Sequence, residues 1–182
     1  MINKIIKESL KVLILGSILS SIGGFSLEFI RDKLAVFLPL IIVLPALAST
    51  VGSAGIISVS KITTYFYSGD IKKKVINKKI LTLFGLLFSI FTLLSFYTTF
   101  LSIFVGYLKG FDFNLSFVIK MLLIIFLTTL IILFFVFIVS LFGARYAFKR
   151  KIDPDDLLIP ITTSIADLGS LIVFSLLVFY FL

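Results

Sequence analysis

The chain alternates long apolar runs with short charged or turn-forming clusters. The apolar runs cover about residues 10–30, 35–60, 81–108, 115–142 and 157–181. At about 1.5 Å per helical residue, each is long enough to cross a hydrocarbon core about 30 Å thick. A strand barrel would instead show roughly ten-residue segments of alternating polarity, and the sequence has none. The pattern predicts an all-α integral membrane protein of five transmembrane helices, forming a single domain over residues 1–182. A cleaved signal is the competing account of the first run, which follows the basic start Lys4, Lys7 and Lys11. The run is too long for a signal core, and no A-x-A site follows it.

Breaks inside the runs add detail. Gly16, Ser20 and Gly24 recur every four residues in span one and predict a small-residue stripe for close helix packing. Span two holds Pro39, Pro45, Gly52 and Gly55, together with Ser49, Thr50, Ser53, Ser58 and Ser60. That content predicts a bent or locally opened helix, tolerable only against protein or a water-filled cavity. Residues 61–80 read as a polar connection with a Gly69-Asp70 turn, and residues 109–114 as a short loop. Span three, rich in phenylalanine and leucine, reads as lipid-facing.

Composition narrows the chemistry. Hydrophobic residues make up 60% of the chain and charged residues 14%, and there is neither cysteine nor histidine. Disulfides, thiolate or imidazole metal sites, and Ser-His or Cys-His nucleophiles are therefore excluded. Oxygen ligands remain, and they suit hard cations. The net charge of +8 is explained by topology without invoking nucleic acid. With the N-terminus inside, thirteen of the seventeen Lys and Arg residues fall on inner segments. The positive-inside rule then sets the N-terminus in the cytoplasm and the C-terminus outside.

One residue breaks the apolar pattern of span five. Asp167 lies roughly ten residues into the run, about 15 Å along a helix axis and near the bilayer centre. An aspartate there costs on the order of 3 kcal/mol on insertion scales, and intramembrane acids mark ion or proton paths. At helical spacing Pro160, Thr163 and Asp167 share one face. Asp153, Asp155 and Asp156 precede the span, where the helix dipole favours negative charge. Glu28 ends span one beside Arg31, Asp32 and Lys33, as a solvated interfacial cluster would. One carboxylate with a few hydroxyls cannot dehydrate a small divalent ion, since magnesium keeps several waters. The chemistry points to a two-fold dimer in which two Asp167 side chains face each other and hold a hydrated cation.

At this point the sequence resembles the transmembrane domain of the MgtE magnesium channels and of the eukaryotic solute-carrier magnesium transporters. The resemblance rests on Asp153-Pro154, Pro160, Thr162-Thr163 and Asp167 in span five. It extends to Pro45-Ala46-Leu47, Gly52-Ser53-Ala54-Gly55, Ser60-Lys61-Ile62-Thr63-Thr64 and Gly69-Asp70-Ile71. It implies a dimeric five-helix domain with a pore lined by helices two and five and Asp167 as the ion-recognising carboxylate. Glu28 occupies the place of the acid that family members carry at the end of the first span. Thr163, Ser53 and the backbone of span two would then hydrogen-bond the waters of the ion. Asp153, Asp155 and Asp156 would form a cation site on the cytoplasmic side. The transported ion is expected to be Mg2+, with Mn2+, Co2+ and Ca2+ as the other candidates, in a homodimer set in the cytoplasmic membrane, and no cofactor or enzymatic activity is expected.

Two departures bear on that expectation. The asparagine of the family's G-N-x-G motif is Ser53 here, so a heterodimer with a sister chain that restores it is the variant assembly. The family's N-terminal regulatory domains have no counterpart in these residues, so a stand-alone form is expected. The alternative from another class is a small-molecule-binding membrane subunit of a multi-component uptake system, which an even span count would favour. A membrane enzyme built on the acidic cluster is weaker, because no second acidic motif completes a metal pair.

Overall fold

The computed structural model describes the backbone of residues 2–71, 77–150 and 154–182, and the side chains of residues 10, 13–71, 77–150 and 157–182. Among these residues the secondary structure is entirely helical. Helix α1 spans Ile2–Phe25 and runs through a 3-10 turn, Ser26–Ile30, into the short α2, Arg31–Val36. Helix α3 covers Leu38–Tyr67, α4 Lys78–Leu108, α5 Leu115–Arg150 and α6 Pro154–Phe181. Five segments are long and apolar enough to cross a membrane, with α1 and α2 together making the first.

Helices α3, α5 and α6 pack against one another as a triangle, α4 covers α3 and α5, and α1 lies against α6. One end of the bundle carries the start of α1, the α3–α4 connection and the start of α6. The far end carries the 3-10 turn, the α4–α5 turn and the C-terminus. Two apolar clusters fill it. Phe66, Leu87, Phe91, Phe137, Leu141 and Leu158 pack near the first end. Leu40, Leu47, Phe117, Met121, Ile125 and Phe174 pack towards the far end, where Phe37 stacks on Phe117 at 4.7 Å.

Several boundaries differ from the sequence pattern. Helix α3 runs on to Tyr67 rather than Ser60, because Lys61 and Thr64 are exposed while Ile62 and Phe66 stay buried and keep the helical period. The α3–α4 connection is correspondingly shorter than residues 61–80. Gly69 turns the chain there at φ 77°, as the Gly69-Asp70 pair predicts, and Gly110 does so at φ 81° in the next turn. Helix α5 continues past Phe142 to Arg150, a length of about 54 Å, so its basic last turns stand beyond an apolar band of about 30 Å.

The predicted opening of span two does not occur: α3 is one continuous helix. Pro39 sits in its first turn, where a missing N–H costs little, and only Pro45 is interior. The hydroxyls of Thr50 and Ser53 donate back to the carbonyls of Ala46 and Ser49 within it. Span three, expected to face lipid, is exposed on one side only. Ser95, Thr98, Thr99 and Ser102 of α4 are buried, and Ser102 donates to the Pro39 carbonyl across the helix pair at 2.6 Å.

Candidate intramembrane cation site

Asp167 falls at the midpoint of the 28-residue α6. The helix is unbroken through Pro160, the interior proline. Thr163 and Ser164 both turn their hydroxyls onto the Pro160 carbonyl, at 3.1 and 2.7 Å, and Thr163 also reaches Ile159 at 2.9 Å. These back-bonds satisfy each hydroxyl inside its own helix, leaving oxygen lone pairs free to accept. Thr163 and Asp167 are half-buried one turn apart, on the face that helical spacing predicts.

Close packing holds α6 in place on two sides. A Cβ on Gly55 of α3 would lie 3.4 Å from Thr162 and 3.3 Å from Val136 of α5. On the other side a Cβ on Gly16 of α1 would collide with Ser164 Oγ, and one on Gly23 would lie 3.0 Å from the Leu168 backbone. Between these glycines Ser20 Oγ donates to Asp167 Oδ2 at 3.4 Å. The small-residue stripe on α1 is therefore Gly16, Ser20 and Gly23. Gly24, which the four-residue period picks out, faces open space. At 3.6 residues per turn, steps of three and four both return to one face, so spacing alone cannot choose between adjacent glycines.

Ser20 is the donor that sequence reasoning assigned only to packing, and it is the one side-chain donor to the Asp167 carboxylate among the described residues. No lysine or arginine among them pairs with Asp167; the two ion pairs are Arg31–Glu28 and Lys79–Asp70. Among the described residues the carboxylate, half-buried at mid-helix, thus has no countercharge.

The antiparallel register of α3 and α6, fixed where Gly55 meets Thr162, brings Thr50 to the height of Asp167, with Ser53 about one turn away. Ser49, Ser53, Ser60 and Thr64 form a polar stripe on α3 that is exposed among the described residues. Glu28 lies elsewhere, in the 3-10 turn at the far end, 62% exposed and paired with Arg31 at 3.4 Å, beside a hollow of about 630 Å³. Asp153 lies outside the described residues, as do the side chains of Asp155 and Asp156. Among the described residues no three acidic side chains converge. Any site at Asp167 is therefore built from one carboxylate, hydroxyls and carbonyls.

The family model for MgtE, divalent cation transporter, matches residues 44–177, from the first turns of α3 to near the end of α6. The chain belongs to the MgtE family. It is accordingly a multi-pass membrane protein of a divalent-cation transporter family, and the described residues hold five helices long and apolar enough to span, where the uptake-subunit alternative favours an even count. Comparison with curated proteins and with solved structures gives no match. The MgtE match includes Asp167, Thr163 and Ser53, whereas Ser20 and Glu28 precede it.

Proposed function

We propose that this MgtE-family chain conducts a partly hydrated divalent cation, Mg2+ foremost, across the cytoplasmic membrane through the pore of a homodimer lined by α3 and α6. The observation that carries the reading is Asp167, a half-buried carboxylate at the midpoint of a membrane-spanning helix that no cationic side chain among the described residues neutralises. Such a charge is expensive in hydrocarbon and becomes tolerable beside water and a mobile cation.

The exposed hydroxyl stripe on α3 supports the dimer. In a lone protomer it would face lipid tails; against a second copy it faces a water-filled path beside Asp167. Two Asp167 carboxylates, with Thr163, Ser53 and backbone carbonyls, contact the water shell of the ion rather than the ion itself, which suits a cation that dehydrates reluctantly. The cluster Asp153, Asp155 and Asp156 supplies a further cation site at the cytoplasmic entrance, and Glu28 supplies an acid at the opposite mouth.

Lys61, Lys78, Lys79, Arg145, Lys149 and Arg150 gather at the end of the bundle where α1 begins, so that end faces the cytoplasm. An inward-negative potential then favours entry by about 4.6 kcal/mol per 100 mV for a divalent ion.

Binding can be tested apart from transport. Millimolar Mg2+ is expected to raise the thermal midpoint of the purified protein, and Asp167→Asn to remove that shift while leaving the unliganded midpoint intact. An equal Mg2+ shift in the variant would contradict the assignment of Asp167.

A further inference from the structure

Hydroxyls on membrane helices commonly donate to a carbonyl one turn back in their own helix, and most in this chain do so. Ser21 donates to Ser17, Thr50 to Ala46, Ser53 to Ser49 and Thr64 to Ser60. Ser20 departs from that pattern. Its hydrogen bond leaves α1 altogether and ends on Asp167 Oδ2 of α6.

The seam around it is built for close approach. Gly16 and Gly23 flank Ser20 on the same face of α1, and a Cβ on either would press on Ser164 or on the Leu168 backbone. The glycines bring the two helices close enough for a side chain as short as serine to span the gap. The register is parallel along the whole seam, from Gly16 opposite Ser164 to Ser26 opposite Ser175 at 3.1 Å. Beyond it Lys33 donates to the Val178 and Phe179 carbonyls, at 3.2 and 2.8 Å, and pins the far end of α6 to the same segment. Ser20 thus sits between anchors above and below.

We propose that Ser20 is a positioning residue for the Asp167 carboxylate. It holds Oδ2 towards α1 so that Oδ1 and the second lone pair of Oδ2 are presented to the water shell of the cation. The inference rests on Asp167 being the ion-recognising group, and it adds α1, which lies before the matched segment, to the elements that shape the site. A carboxylate free to rotate meets a hydrated ion in many orientations; one held by a fixed donor meets it in few. Loss of the donor therefore weakens ion recognition before it slows the passage of ions already bound.

The test uses the full chain in proteoliposomes, with Mg2+ uptake measured against Mg2+ concentration and the infrared carboxylate band of Asp167 assigned by its loss in Asp167→Asn. Ser20→Ala removes the hydroxyl. Ser20→Gly removes it without adding bulk to a glycine seam and guards against misfolding of the alanine variant. Ser17→Ala and Ser21→Ala, on the exposed face of α1, are the controls.

Both Ser20 variants are expected to raise the half-saturating Mg2+ concentration roughly fivefold, the order of one ordinary hydrogen bond, as suits the long Ser20–Asp167 contact, and to shift the band. Maximal uptake stays within about twofold, since that bond acts on ion recognition. The controls change neither quantity. An unchanged band in both Ser20 variants overturns the proposal, as does a fall in maximal uptake with no change in half-saturation. If the unaltered chain carries no Mg2+, the transport reading fails, and the band alone then decides whether Ser20 holds Asp167.

Discussion

At the scale of single residues, contacts to α6 are governed by the room that glycine leaves. Gly55→Val places branched carbons where a Cβ already lies 3.3 Å from Val136 and 3.4 Å from Thr162, both buried. Overpacking of that kind costs about 1–3 kcal/mol, and the variant is expected to melt earlier in detergent. Gly85→Ala on the exposed side of α4, with nothing within 4 Å, is expected to leave the melting unchanged. An equal loss at both positions would mean that packing against α6 is not what Gly55 serves. Asp167 was legible in the sequence because a charge inside an apolar run needs no partner to be noticed. The Ser20 hydrogen bond to it was not, since a serine reads alike whether it bonds its own helix or the next one. Gly23 escaped for the related reason that two adjacent glycines fit the same stripe.

At the scale of the helices, the ends are where polar side chains act. Lys33 caps the last turn of α6 by donating to two of its carbonyls, and its ammonium also lies 5.2 Å from the centre of the Phe179 ring. Lys33→Ala is expected to cost about 1 kcal/mol locally and to speed amide exchange in the final turn of α6, with mid-helix amides unaffected. Exchange that is unchanged at the last turn would remove Lys33 from the capping account.

The start of α4 is fixed differently. Asn77 Oδ1 accepts from the Ile80 amide, and Lys79 bridges to Asp70 at 2.7 Å. The Lys79 hydrogen bond, and then that of Ser68, holds the Asp70 carboxyl below the usual aspartate range. A carboxylate depressed in the folded state adds stability above its ordinary range and loses it as pH falls through the depressed value. Amide protection at the start of α4 is therefore expected to drop only below about pH 4, and Asp70→Asn to abolish that acid-dependent step. Persistence of the step in Asp70→Asn would place its origin elsewhere.

The five spans were legible from hydropathy, whereas the ends of α3 and α5 were not. Lys61 and Arg145 look like loop residues until the buried neighbours Ile62, Ala144 and Ala147 show the helical period continuing beneath them. The buried hydroxyls of α4 were hidden in a run of phenylalanine and leucine because composition does not reveal which face turns inward.

At the scale of the whole molecule, the hydroxyls of α3 that stay exposed among the described residues are what the proposed dimer would cover. The chain has no cysteine, so Ser53→Cys introduces a single thiol. In the proposed dimer it faces the shared pore, and mild oxidation or a short bifunctional thiol reagent is expected to yield a covalent dimer. A cysteine at Phe100, exposed on α4, is expected to remain monomeric under the same treatment. Equal cross-linking at the two positions would remove the reason for placing α3 at the interface.

The central claim is that this chain by itself passes Mg2+ along Asp167. Its most direct test is Mg2+ uptake into proteoliposomes under an imposed inside-negative potential, with the unaltered chain measured beside Asp167→Asn. The account predicts potential-driven uptake by the unaltered protein and uptake at the level of empty liposomes in the variant. Equal uptake by the two proteins, or none by a folded unaltered chain, would contradict it.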